Sequence, residues 1–142
     1  MLADILVGAG TGALTIVIHA LLTVSTIRAA RRVAGRETMH PWVRMVAIMI
    51  ATVLVLMAAH TVEVFVWSVT YALTNAAPEG SDLFYFAFVN YTTLGYGDIV
   101  PVARWRLLGP MTAMNGVLLF GWSTAVIFEV LRKTVADYAA VD

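Results

Sequence analysis

Two glycines one residue apart, Gly95 and Gly97, sit in the strip Thr92-Thr93-Leu94-Gly95-Tyr96-Gly97-Asp98 of a 142-residue chain. Carbonyls on ordinary extended backbone alternate in direction. Glycine accepts positive φ at little steric cost, so glycines at alternate positions let successive carbonyls face one side. A row of carbonyl oxygens can replace the water around a cation without supplying the full negative charge that would trap it. Thr93 can add its hydroxyl oxygen at one end. Leu94 and Tyr96 must then point the other way, where neighbouring aromatic side chains would buttress them.

A second set of chemical groups lies upstream. His60, Glu63, Trp67 and Tyr71 fall at offsets 0, 3, 7 and 11, one face of a helix of period 3.6. The surrounding residues are apolar, so Glu63 has to face protein and find a donor: His60 one turn away, or a group on the segment that carries the glycine strip. His19, inside an earlier apolar run, needs a polar partner for the same reason, and counting helical rises puts it at a depth similar to His60.

The elements that must position these groups are helices in a membrane. The chain is 61% hydrophobic with a mean hydropathy of +0.84, and its nine basic and nine acidic residues cancel. That is far more apolar than a soluble domain of this length. There is no cysteine, which excludes disulfides, thiolate metal sites and a thiol nucleophile. No basic residue precedes Arg28, so the first apolar run lacks the positive flank of a secretory signal and is expected to be retained.

Apolar runs over about residues 2–27, 42–73 and 107–131 are each long enough to cross the roughly 30 Å of a bilayer's hydrocarbon. Gly8 and Gly12, four apart in the first run, suit close helix packing. Between the second and third runs, Asn75 to Ser81 reads as a turn with Pro78 and Gly80. Ser81 or Asp82 then caps a half-length helix over 83–92, rich in Phe and Tyr and expected to be re-entrant. Arg28, Arg31, Arg32, Arg36 and Arg44 cluster around Gly35 and Pro41, and Arg132 and Lys133 follow the last run. The positive-inside rule makes both regions cytoplasmic, with the N-terminus and the glycine strip outside. Glu129 is expected to pair with Arg132 or Lys133.

The strip Thr-Thr-Leu-Gly-Tyr-Gly-Asp, set between a half-length helix and a full span, resembles the selectivity-filter signature of potassium channels. The resemblance covers about residues 42–133. It implies an all-α membrane protein with three transmembrane helices, and a re-entrant pore helix and filter between the second and third. The unit it implies is a homotetrameric pore, since one chain supplies one quarter of a ring. It further implies passive K+ passage at Thr93, Leu94, Gly95, Tyr96 and Gly97, with ions coordinated at the first four of these. Thr92, Asp98, Glu63, His60, Tyr85 and Trp67 are the expected filter supports, and Gly116 or Gly121 the inner-helix hinge.

Two departures from that pattern concern the support. Many members carry Trp at the positions of Tyr85 and Phe86, one of which hydrogen-bonds the Asp after the filter. Here Arg104, Arg106 or Tyr85 would have to serve Asp98. Where some members bury a Glu behind the filter this chain has Val89, and Glu63 is the candidate replacement.

The resulting organisation is an extra N-terminal helix and Arg-rich cytoplasmic loop over 1–40, a pore module over 41–133 and a short tail over 134–142. The expected setting is the cell membrane, a bacterial inner membrane. Partners are lipid, potassium ions and further copies of the chain, with no nucleic acid and no cofactor. No nucleophile–base pair or phosphate-binding loop argues for an enzyme. The competing readings are a non-conducting or regulatory channel homologue, and an ion-coupled transporter or metal-binding membrane protein using His19, His60 and Glu63.

Overall fold

A computed structural model describes residues 1–34 and 40–139. Among the described residues there are four α-helices and one 3-10 turn: α1 Leu2–Ala34, α2 Pro41–Thr74, α3 Leu83–Tyr91, the turn Ala103–Trp105, and α4 Leu108–Ala139. Three of the helices are long and apolar enough to span a membrane, over Leu2–Arg28, Trp42–Thr74 and Ala103–Ala136. α3, with nine residues, reaches only about half that depth.

The helix ends follow from local chemistry. Pro41 begins α2, where its missing N–H costs nothing. Asn75 ends it in the left-handed conformation at φ 51°, and the Ala76 N–H donates to the Tyr71 carbonyl at 3.0 Å. Asp82 caps α3, its carboxylate accepting from the Phe84 and Tyr85 N–H groups at 3.1 and 3.0 Å. At its start α1 matches the expected span, but it continues beyond residue 27 to Ala34, so the backbone of Arg28, Arg31 and Arg32 is helical and not loop. Gly35 and Arg36 lie outside the described residues.

α2 is the spine. It packs against α1, α3 and α4, and its buried face carries Val64, Trp67 and Tyr71 into one cluster with Phe86, Ala87 and Tyr91 of α3 and Leu108 of α4. A second cluster joins α2 to α4 at their other ends through Ile48, Leu56, Val126 and Val130. Many large apolar side chains remain on the outside, Leu6, Leu14, Leu54 and Met57 among them, as lipid contact requires.

α3 meets α4 at one point of unusually close approach. A Cβ on Gly116 would overlap the Tyr91 carbonyl oxygen, so only glycine lets the two backbones come together there. Gly121, five residues on, has nothing within 4 Å of its Cβ position. Of the two hinge candidates, Gly116 therefore has a packing reason to be glycine.

Candidate functional site

The strip begins where α3 ends. The Thr92 N–H and hydroxyl both reach the Phe88 carbonyl, at 2.9 and 2.7 Å, and the Leu94 N–H reaches the Val89 carbonyl at 3.0 Å. The chain thereby leaves the helix in a fixed direction. Positive φ follows at every second residue: 60° at Thr93, 59° at Gly95 and 76° at Gly97. Gly95 and Gly97 take this conformation freely. Thr93 is β-branched and adopts it against preference, a strain of about 1–3 kcal/mol that surrounding structure must hold.

All seven residues from Thr92 to Asp98 are exposed in the single chain. Leu94 and Tyr96 are 54% and 67% exposed, so the aromatic residues of α3 in the same chain do not cover them as expected. The reason is direction: the inward face of α3, with Phe86, Ala87, Val89 and Tyr91, is spent on α2 and α4.

Asp98 finds its donor in Tyr85, whose hydroxyl donates to Asp98 Oδ2 at 2.8 Å. Of the three candidates, the phenol takes the role. The bond and the nearby carboxylate charge raise the Tyr85 pKa, because ionising the phenol would remove the donor and set two anions side by side. Arg104 instead lies over the Trp105 ring at 5.4 Å.

Behind the strip lies a ladder of polar contacts between the long helices. Tyr71 meets Thr112 at 2.6 Å, Trp67 Nε1 donates to Asn115 Oδ1 at 3.0 Å, and His60 Nε2 meets Ser123 Oγ at 2.9 Å. From α1, Thr11 meets Thr70 at 3.1 Å, Thr15 donates to Asn115 at 2.9 Å, and His19 Nδ1 meets Glu63 Oε1 at 2.8 Å. Asn90 of α3 donates to the Tyr71 hydroxyl at 3.3 Å. Between apolar helices in lipid such bonds contribute roughly 0.6–2 kcal/mol each.

Glu63 is the hub. It is fully buried, and besides His19 it contacts His60 Nδ1 at 3.0 Å and accepts a short hydrogen bond from the Tyr91 hydroxyl. Tyr91 in turn lies 2.9 Å from His60 Nδ1. The His19 and His60 rings stand 5.3 Å apart between centroids. Since Tyr91 is the last residue of α3, the carboxylate grips the end of the short helix directly before the strip. The donor from the strip's own segment, anticipated for Glu63, is therefore a residue at its threshold.

The expected supports thus divide. Glu63 and His60 reach α3 through Tyr91, Thr92 closes α3, and Tyr85 holds Asp98. Trp67 supports α3 through apolar packing, while its indole N–H ties α2 to α4. Thr112, Asn115 and Ser123 carry much of the ladder and were not anticipated. Their signal was present: they stand at offsets 0, 3 and 11 on α4, within one residue of the offsets 0, 4 and 11 of Tyr71, Trp67 and His60 read backwards along an antiparallel partner. Thr11, Thr15 and His19 repeat every four residues on α1. Near the far end of α4, Glu129 pairs with Arg132 and Lys133 at 2.9 Å each, as the sequence spacing indicates.

Comparison with known proteins gives one family match. The family model described as "Ion channel" matches residues 59–133, from the middle of α2 through the short helix and the glycine strip into α4. No curated protein and no solved structure matched. The matched stretch is more than half of the chain and includes Glu63, Tyr91 and the whole of Thr92 to Asp98; the chain belongs to this ion channel family.

Proposed function

We propose that this chain forms a potassium-selective channel: four copies surround one axis, and K+ passes passively along the carbonyls of Thr93, Leu94, Gly95, Tyr96 and Gly97. The observation that carries the reading is the positive φ at alternate residues 93, 95 and 97 in a strip exposed along its length. Backbone of alternating hand turns successive carbonyls toward one side, and the bare strip leaves that side for other copies. In this reading residues 41–133 are the pore module, with α3 as the re-entrant pore helix. The C-terminal end of α3, carrying about half a negative charge, points from each copy toward the ion path.

Tyr96, two-thirds exposed in one chain, would be covered by the next subunit, and the tetramer would complete the support that a single chain lacks. The arginine distribution favours the strip outside and the C-terminus inside. Purified protein in liposomes, loaded with potassium on one side and sodium on the other, tests the proposal. Flux carried by potassium, and lost when Gly97 is replaced by valine, is the expected result. Absent flux would favour a non-conducting homologue, and equal flux of both ions would remove the selectivity.

A further inference from the structure

We propose that His19, His60 and Glu63 form a buried binding site for a divalent transition-metal ion, with zinc the best match. The three residues each offer a ligand atom, all within 4.8 Å of one another. This inference is independent of potassium selectivity, since it concerns the packing behind the strip and not the strip.

The argument starts from how the two rings are turned. Each imidazole presents Nδ1 to the same carboxylate, His19 at 2.8 Å and His60 at 3.0 Å. Each presents Nε2 to the same hydroxyl, that of Ser123, at 3.4 and 2.9 Å. A serine oxygen has two lone pairs and can accept from both Nε2–H groups. Both Nδ1 atoms then face Glu63, as N–H groups that donate to the carboxylate or, in the tautomer that donates Nε2–H to Ser123, as lone pairs. In the second tautomer two imidazoles and a carboxylate converge through lone pairs, the arrangement that holds a cation, while in the ion's absence the Nδ1–H tautomers donate to Glu63.

The outer contacts are those that metal-binding histidines use. A ligating imidazole donates its other N–H to a polar group that fixes the tautomer and the ring orientation. Here Ser123 does this for both rings at once. Tyr91 Oη, 2.9 Å from His60 Nδ1 and bonded to Glu63, stands where a fourth ligand belongs, and water is the alternative there.

The donor set chooses the ion. Two imidazoles, one carboxylate and an oxygen suit tetrahedral zinc, whose ligand distances of about 2.0–2.2 Å place neighbouring ligand atoms on the order of 3.3 Å apart. The two histidine–carboxylate edges would open by a few tenths of an ångström and the histidine–histidine edge would close, within the reach of side-chain adjustment. Calcium and magnesium prefer six or more oxygens, and no such set surrounds Glu63 among the described residues. Burial favours retention once bound: His19 and Glu63 side chains are fully buried, and His60, 14% exposed, marks the side from which an ion would enter.

The experiment is metal titration of the full-length protein, purified in detergent and stripped with chelator. Zinc binding is followed by calorimetry and chelator competition, and cobalt substitution by visible absorption. The expected result is one zinc per chain, an intense four-coordinate cobalt spectrum, and two imidazoles in the zinc X-ray absorption of the wild type. His19→Ala should weaken zinc binding at least 100-fold, and Ser123→Ala, which removes no ligand, 10- to 100-fold. His40→Ala should leave it unchanged. The proposal is overturned if the wild type takes up no stoichiometric zinc, if its spectrum is six-coordinate without imidazole, or if binding follows His40. The wild-type spectra alone decide the matter should a variant fail to fold.

Discussion

Replacing Gly116 by alanine adds one methyl group where α3 and α4 touch. It would collide with the Tyr91 carbonyl oxygen, and it would also stand 3.0 Å from the carbonyl carbon and 3.3 Å from the ring atom Cδ1. These neighbours are largely backbone at the end of a helix, which no rotamer change can move. The two helices must separate, at a cost typical of overpacked cores, about 1–3 kcal/mol. Exchanging a helical glycine for alanine returns up to about 1 kcal/mol of propensity. The net loss is therefore on the order of 1–2 kcal/mol, about a tenfold change in the folded-to-unfolded ratio at its centre. Gly121→Ala is the internal control, because its methyl meets nothing within 4 Å and only the propensity gain of roughly 0.5–1 kcal/mol applies.

Reversible unfolding in mixed micelles, followed by tryptophan fluorescence, measures both variants against the wild type. The expected order of stability is Gly121→Ala at or above wild type, and Gly116→Ala clearly below it. A Gly116→Ala protein as stable as wild type would refute the close approach of α3 and α4. Because Tyr91 immediately precedes Thr92, the Gly116 variant should also disturb ion flux more than its stability loss alone accounts for, in the same preparation.

Other outcomes follow from the same contacts. Glu63→Ala leaves two imidazoles and the Tyr91 hydroxyl buried without their shared acceptor and should destabilise the fold by about 3–5 kcal/mol, measured by the same unfolding assay. Asn115→Leu strands the Trp67 indole N–H, whereas Thr15 keeps its hydrogen bond to the Gly12 carbonyl; the cost is about 1–3 kcal/mol, and the tryptophan fluorescence should shift as the indole loses its acceptor. The Tyr85–Asp98 bond should hold across neutral pH. Its phenol pKa is raised in the folded protein, so the stabilisation is fully present below the ordinary tyrosine range and is lost as pH rises through the raised value. A spectrophotometric titration should lose one late-titrating tyrosine in Tyr85→Phe relative to the wild type.

The helices were legible because lipid imposes long apolar runs, and α3 because its run is half as long and begins at a capping Asp82. The strip and the polar face of α2 were legible because alternate glycines and a period of 3.6 are local patterns. Partnership between helices was not, since it depends on register across the bundle. Sequence spacing aligned His19 with His60 only in depth, whereas the packing gives His19 to Glu63 and lets Ser123 bridge both rings. Tyr85 could not be chosen over Arg104 and Arg106 as the donor to Asp98, because that choice depends on how the chain returns from the strip, where the Val102 N–H donates to the Ala76 carbonyl at 2.8 Å. α1 extends past its apolar run because arginines continue a helix readily once it leaves the hydrocarbon, and hydropathy marks only the part in lipid.

The central claim is tested most directly by the reversal potential of the purified protein in a planar bilayer, with potassium chloride on one side and sodium chloride on the other. Permeation through the carbonyls of Thr93 to Gly97 puts that potential close to the potassium equilibrium value, and Gly97→Val abolishes the current. A reversal potential near zero, or a current that Gly97→Val leaves intact, would contradict the assignment of the strip as a potassium filter.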